Sequence, residues 1–349
     1  MALLPAAYRR YTSTVDPDLD QYALFSHTPA PAPQLLRMHG WHGQVKSPHT
    51  DNVTGDVAGD FNHIHPEMRG RGDAQGKPDA NGWELQDAVD ALAAHAEFHP
   101  QSVTAGEPPL LWGGSGGGGN VLGLIGKFPD LFAAAVCECG ISDYGLWHTH
   151  DEVGEFRDEL EVEAWIGGNP AGNPEAYLSR GGRTTARNLL TPLLMVHGEI
   201  DPRVPFEQAT LYIDAARQHG REELVKLISF PQVGHPGHYG GITEAEEAQR
   251  QSAIAAQLSA RWATPQLPEA GSLVVAGYVR TRHFSVVLES IDHIARLDYD
   301  LGSGTFALQA PTSRTAALTL ADGGATELNC EEISLPTLCQ WLALPVMPG

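Results

Sequence analysis

Ser115 stands in Gly113-Gly114-Ser115-Gly116-Gly117, a Gly-x-Ser-x-Gly pattern with two more glycines behind it. An apolar run, Leu110 to Trp112, enters it, and a helix-like run, Val121 to Lys127, leaves it. A strand that turns this sharply into a helix holds its serine in a strained backbone conformation, and small neighbours let the chain fold back on itself. The helix start also aims free N–H groups at the space above the hydroxyl. A serine hydroxyl is a weak nucleophile alone, so this reading requires a base and an acid further along. Asp201 follows the apolar run Leu189 to Val196, in His197-Gly198-Glu199-Ile200-Asp201. A carboxylate just past a strand's C-terminal end lies where catalytic groups gather in α/β sheets. Glu199 is the reserve acid on the same argument. The base is expected on the glycine-rich loop Gly234-His235-Pro236-Gly237-His238-Tyr239-Gly240-Gly241. His235 comes first and is the base assigned from sequence, with His238 the alternative. The resulting order is serine, acid, histidine.

Attack on a carbonyl puts negative charge on its oxygen, which needs two aimed N–H donors. Gln34 to Met38 reads as a strand that runs into His39-Gly40-Trp41. The backbone N–H groups of Trp41 and Gly116 are therefore the expected oxyanion hole. Other readings are weaker. A flexible Gly/Ser linker is not usually flanked by a strand and an apolar helix. A phosphate loop would close on Gly-Lys-Ser/Thr, which is missing here. His63 and His65 share a face if they lie on a strand, and His148 and His150 repeat the spacing. Neither pair has a third ligand evident in sequence, so both read as hydrogen-bonded histidines, with no metal assigned.

The elements that must carry these groups alternate. Gly82 to Leu92 places apolar residues at 85, 88, 89 and 92, the spacing of a helix lying on a sheet. Leu131 to Cys137 reads as a strand, Phe206 to Gln218 as a helix, Leu224 to Phe230 as a strand and Ile242 to Trp262 as a long helix. This alternation predicts an α/β fold with a doubly wound, mostly parallel sheet. Residues 140–188 break the pattern and read as a lid-like insertion. A proline-rich linker near 264–270 ends a catalytic domain expected over 1–263. Short β-type runs then follow, predicting a small β-rich accessory domain over 271–349, a sandwich or half-barrel.

The chain has 349 residues, 42% hydrophobic content and a formal net charge of −21. That charge disfavours non-specific binding to nucleic acid or to anionic membranes. No apolar run is long enough to span a bilayer, and the N-terminus lacks the pattern of a secretory leader, so a cytoplasmic chain is the expectation. Four cysteines are too few for a disulfide framework. Cys137 and Cys139 are too close to pair, and Cys330 with Cys339 reads as buried thiols.

Together, His39-Gly40, Arg69-Gly70-Arg71-Gly72 with Gly76, the helix start at Gly82, Gly113-x-Ser115-x-Gly117, His197-Gly198 to Asp201, and Gly234-His235 resemble the α/β-hydrolase fold. Within it they are most similar to the catalytic domain of the prolyl oligopeptidase family, over about Gln34 to Trp262. The resemblance implies a serine hydrolase without a cofactor. The expected substrate is a small-molecule ester, or a short peptide in the alternative reading; homo-oligomerisation is left open. The chain lacks the family's propeller, and its C-terminal β region is no part of the family pattern. Both features favour an esterase over a peptidase. A dead hydrolase fold that binds carbohydrate or a partner is the non-catalytic rival, which the intact Ser115, Asp201 and histidine loop oppose.

Overall fold

The computed structural model describes residues 6–41, 43–45, 61–150 and 159–344, the side chains of 159–161 excepted. The chain opens with an antiparallel hairpin, β1 (Ala7–Thr12) and β2 (Asp20–Ser26). There follow β3 (Gln34–Met38), β4 (Asn62–Pro66), α1 (Glu84–Phe98), β5 (Leu110–Gly114), α2 (Gly116–Lys127) and β6 (Ala134–Glu138). Three short helices come next: α3 (Tyr144–His150), α4 (Glu159–Ile166) and α5 (Pro174–Arg180). The sheet resumes with β7 (Leu193–Gly198), α6 (Glu207–Gln218) and β8 (Val225–Phe230), and α7 (Glu244–Ser259) follows it.

The eight strands are ordered β1-β2-β4-β3-β5-β6-β7-β8. Pairing is parallel from β4 through β8, and antiparallel at the β1-β2 and β2-β4 steps. Parallel strands covered on both faces read as continuous apolar runs, and β5, β6 and β7 do so because alternate side chains enter different cores. Leu111 packs with Leu36, Val121, Leu122 and Ala135 on one face. Leu110 and Trp112 pack with Val136, Val196, Ile254 and Leu258 on the other, under α7. Helix α2 is buried along its whole length. Its glycines permit this: a Cβ on Gly117 would come within 2.3 Å of the Met38 carbonyl oxygen of β3.

Beyond residue 269 the chain forms a closed barrel rather than a sandwich or half-barrel. Its strands are β9 (Ala270–Ala276), β10 (Tyr278–Arg280), β11 (Phe284–Leu288), β12 (Ile294–Asp300), β13 (Thr305–Ala310), β14 (Thr315–Leu320) and β15 (Ala325–Glu332). Closure comes from a parallel pairing of β13 with β15, which no local hairpin signal announces. Val275, Phe284, Val286, Leu297, Leu308 and Leu318 fill the interior. A last helix, α8 (Leu335–Trp341), packs Leu338 and Cys339 against Val274 and Ala276. The barrel is bound to the larger unit by buried polar groups. Lys127 donates to the Ala276 carbonyl, Tyr278 OH donates to Gly82 O at 3.0 Å, and Asn188 bridges Gly126 O and Val274 O at 2.8 Å each. Among the described residues no helix is long and apolar enough to cross a membrane.

Candidate active site

The C-terminal ends of β3, β5, β6 and β7 lie at one edge of the sheet, and the site is built there. Ser115 has φ 58° and ψ −124°, between β5 and α2. A non-glycine residue takes that conformation at a cost of order 1–3 kcal/mol and needs a surrounding that enforces it. The enforcement is visible: Ser115 N donates to Glu138 O at 2.8 Å, and Gly119 N donates to Ser115 O at 3.0 Å. The backbone nitrogens of Trp41 and Gly116 belong to adjacent segments, since a Cβ on Gly116 would stand 2.6 Å from the Trp41 nitrogen. The Trp41 turn is held by His39. Met68 N donates to His39 Nε2 at 3.1 Å, which leaves His39 Nδ1 to carry the proton and donate to Gly40 O at 2.9 Å. Burial lowers the His39 pKa and keeps the ring neutral in that role.

Asp201 is buried. Its Oδ1 accepts from Arg203 N at 2.9 Å and Val204 N at 3.2 Å, and its Oδ2 accepts from His238 Nδ1 at 2.6 Å. Burial raises the carboxyl's pKa, but the His238 hydrogen bond and charge and the two amides outweigh it and hold it below the ordinary carboxylate value. His238 and Ser115 line one cavity of about 300 Å³, with Gly40, Trp41, Ile141, Trp147 and Val204 in its walls.

The assignment of His235 is corrected here. His235 is exposed, and the histidine on Asp201 is His238. The loop explains the choice. Gly234 packs so tightly on the Asp201 backbone that a Cβ there would come within 2.3 Å of Asp201 N. The chain then turns out and curls back, with Gly240 N donating to Gly237 O at 2.7 Å and Gly234 N to Gly240 O at 2.9 Å. His238, on the return with φ 30°, reaches the acid that His235 has already passed. Glu199 points elsewhere and accepts from Ser229 Oγ at 2.7 Å.

Three nearby groups escaped the sequence reading. Buried His197 donates from Nε2 to Val204 O at 2.8 Å and lies 3.9 Å from Asp201. Burial lowers its pKa, so it stays neutral beside the acid. Glu138, at the end of β6, joins the elbow to the histidine loop. Its carboxylate accepts from Trp112 Nε1 at 2.8 Å and Tyr239 OH at 2.9 Å, and pairs with Arg250 of α7. Cys139, Asp201 and His238 each place a ligand atom within 4.8 Å of the others. Burial pushes the Cys139 thiol well above its ordinary pKa, and Asp201 and His238 already bond each other.

His63 and His65 lie on β4 with ring centroids 6.4 Å apart. Burial, with the charge of Arg37, lowers His63 to about 4 and His65 well below its ordinary value. His148 bonds Glu163 at 2.9 Å, and His150 is exposed at the end of α3. Neither pair gathers a third ligand among the described residues. All four cysteines are free thiols.

Trp41, Tyr144, Trp147, Trp165, Val162 and Tyr177 form one apolar cluster over the cavity. Trp41 stacks on Trp165 at 4.3 Å and leans on Trp147 at 5.2 Å. All but Trp41, which follows β3, come from α3, α4 and α5, the stretch read as lid-like, of which residues 151–158 lie outside the described residues.

An elbow serine at the edge of this sheet, with a histidine–aspartate pair sharing its cavity, defines a serine hydrolase of the α/β-hydrolase fold. The prolyl oligopeptidase family profile matches residues 69–260, more than half of the sequence, and the chain belongs to that family. An uncharacterized peptidase, YuxL, of Bacillus subtilis is 33% identical over 123 residues, which is 35% of this chain and 18% of that protein. The matched stretch amounts to 18% to 22% of the length of the curated relatives. An acylaminoacyl peptidase solved with a chloromethyl ketone superposes over 76% of this chain and 43% of its own, with TM-score 0.61 and 18% identity. The Pyrococcus furiosus esterase Pf2001 superposes over 74% of this chain and 91% of its own, with TM-score 0.56 and 12% identity. At such identities these two likenesses are ones of fold.

Proposed function

We propose that the protein hydrolyses carboxylic esters of small acyl groups through a covalent acyl-enzyme, with Ser115 as nucleophile, His238 as base and Asp201 as its orienting acid. The observation that carries this reading is the 2.6 Å bond from His238 Nδ1 to Asp201, in the cavity that Ser115 also lines. With Nδ1 donating to the carboxylate, Nε2 is the acceptor for the Ser115 proton. Ser115 Oγ bonds to the substrate carbonyl carbon as that proton passes to His238. The N–H groups of Trp41 and Gly116 hold the oxyanion. Protonated His238 then returns the proton to the leaving alkoxide, and water repeats the sequence on the acyl-enzyme. Asp201 stays ionised and stabilises the imidazolium.

Apolar walls from Trp41, Ile141, Trp147 and Val204, beside which Arg203 also lines the cavity, support a neutral acyl or aryl group. The peptidase names among the relatives support amide cleavage as the second reading. A panel of nitrophenyl esters and amino-acyl nitroanilides separates the two, and kcat/KM higher on the nitroanilides overturns the ester assignment. Ser115→Ala and His238→Ala are each expected to lower kcat on the better substrate by about 10³-fold or more, with the fold retained. His235→Ala is expected to stay within about twofold of the parent. The reverse order of the two histidine variants would return the base to His235.

A further inference from the structure

The molecule carries 43 acidic against 22 basic side chains, yet one cleft at the seam between the larger unit and the barrel gathers cations. It encloses about 230 Å³ and is lined by Arg187, His219 and Arg221 from one side, and by Gly271, Ser272 and Tyr299 from the barrel. The Nε atoms of Arg187 and Arg221 are buried without a hydrogen-bond partner. Neither guanidinium has a carboxylate within ion-pair distance among the described residues. Arg187 instead meets His219 Nδ1 at 3.4 Å and lies 4.5 Å over the ring of Trp341, which also takes Arg296 at 5.1 Å. Asp298, the acid whose charge acts on Arg187, is engaged by Arg296 at 3.0 Å and by Ser272. Burial, then the charges of Arg296 and Arg221, pull the Arg187 pKa down, which reflects how closely the like charges are held.

Holding two like charges side by side, each half-buried with its Nε shut away from water, is costly unless an anion completes the set. Planar guanidinium forks match the oxygens of phosphate and carboxylate groups. Two arginines offer more charge than one carboxylate neutralises, with His219, its pKa lowered by burial, accepting from Arg187 as a neutral ring, and the small volume limits the ligand to a compact head group. We infer that this cleft is a binding site for a phosphate-class oxyanion, separate from the Ser115 cavity and independent of the reaction proposed there. Arg221 and Arg187 ligate the anion, and Ser272 and the backbone of Gly271 border it.

The test is calorimetric titration of the full chain with inorganic pyrophosphate and inorganic phosphate, at ionic strength held constant with potassium chloride. Thermal melts are run in parallel. Saturable binding with a rise in Tm is expected. Arg221→Gln is expected to weaken it at least tenfold, and Arg217→Gln, whose arginine is exposed and paired with Asp214, is expected to leave it unchanged. If Arg221→Gln fails to fold, the wild-type titration and Arg221→Lys decide, the lysine retaining charge but losing the fork and weakening binding. No saturable response in the wild type, an unchanged response in Arg221→Gln, or tighter binding of citrate than of pyrophosphate would overturn the assignment.

Discussion

At the scale of single residues, burial sets what each titratable group can do. Asp201 is held ionised because three donors outweigh its desolvation. Glu84 shows the opposite balance. Burial, and then the neighbouring charge of Asp79, raise its pKa to about 7. Its Oε1 accepts from Asn81 N and Asn120 Nδ2 at 2.8 Å each, tying α1 to the elbow helix. A carboxyl with a raised native pKa binds more protons folded than unfolded between its unfolded value, near 4.5, and about 7. Stability therefore declines as pH rises through that window. Glu84→Gln keeps the acceptor and removes the titration. Its melting free energy is expected to vary less between pH 4.5 and 7, and to exceed the parent's at pH 8 by on the order of 1–3 kcal/mol. Thermal or urea unfolding across that range checks it, and parallel pH profiles for parent and variant would refute it.

Elements matter here chiefly for where they end. Strands β3, β5, β6 and β7 deliver Trp41, Ser115, Glu138 and Asp201 to one edge, and the loop after β8 brings His238 across to them. Glu138 links three of these pieces, because its backbone fixes the elbow and its carboxylate holds Tyr239, the residue after His238. Arg250 braces the same pair from α7, 4.5 Å over the Tyr239 ring. Tyr239 is thus a positioning residue rather than a catalytic one. Tyr239→Phe keeps the ring and loses the bond to Glu138. It is expected to lower kcat about tenfold with KM nearly unchanged, since a misplaced base weakens the transition state more than substrate binding. Steady-state kinetics on the best ester decide, and a change confined to KM would show that the loop shapes the cavity instead.

On the scale of the whole molecule, the barrel is joined through buried groups rather than through an apolar face alone. Tyr278 stacks on Trp83 at 4.7 Å, bonds Gly82 and receives Lys127 over its ring at 4.7 Å. Arg180, buried in the larger unit, bonds Asp292 at 2.5 Å at the barrel's edge. Tyr278→Ala leaves Lys127 and Trp83 without their neighbour and opens a cavity. A loss of about 3–5 kcal/mol is expected. If chemical denaturation reports less than about 1 kcal/mol, the two units are coupled more loosely than these contacts imply.

The sequence alone determined the parallel sheet and the sharp turn at Ser115, and it singled out Asp201 at the sheet's edge, because each is written locally. Alternating apolar runs mark strands and helices, glycine spacing marks a sharp turn, and a carboxylate just after a buried run marks the sheet's edge. It assigned His235 to Asp201, whereas His238 makes that bond, because only two residues of a glycine-rich turn separate two chemically equal candidates. Only the packing of Gly234 on Asp201 and the return of the loop decided for His238. The closed barrel, the Glu138 junction and the arginine cleft were likewise invisible in the linear chain. Each depends on contacts between residues far apart in sequence, such as Cys330 paired beside Leu308 or Glu138 beside Arg250, and such contacts leave no periodic signature.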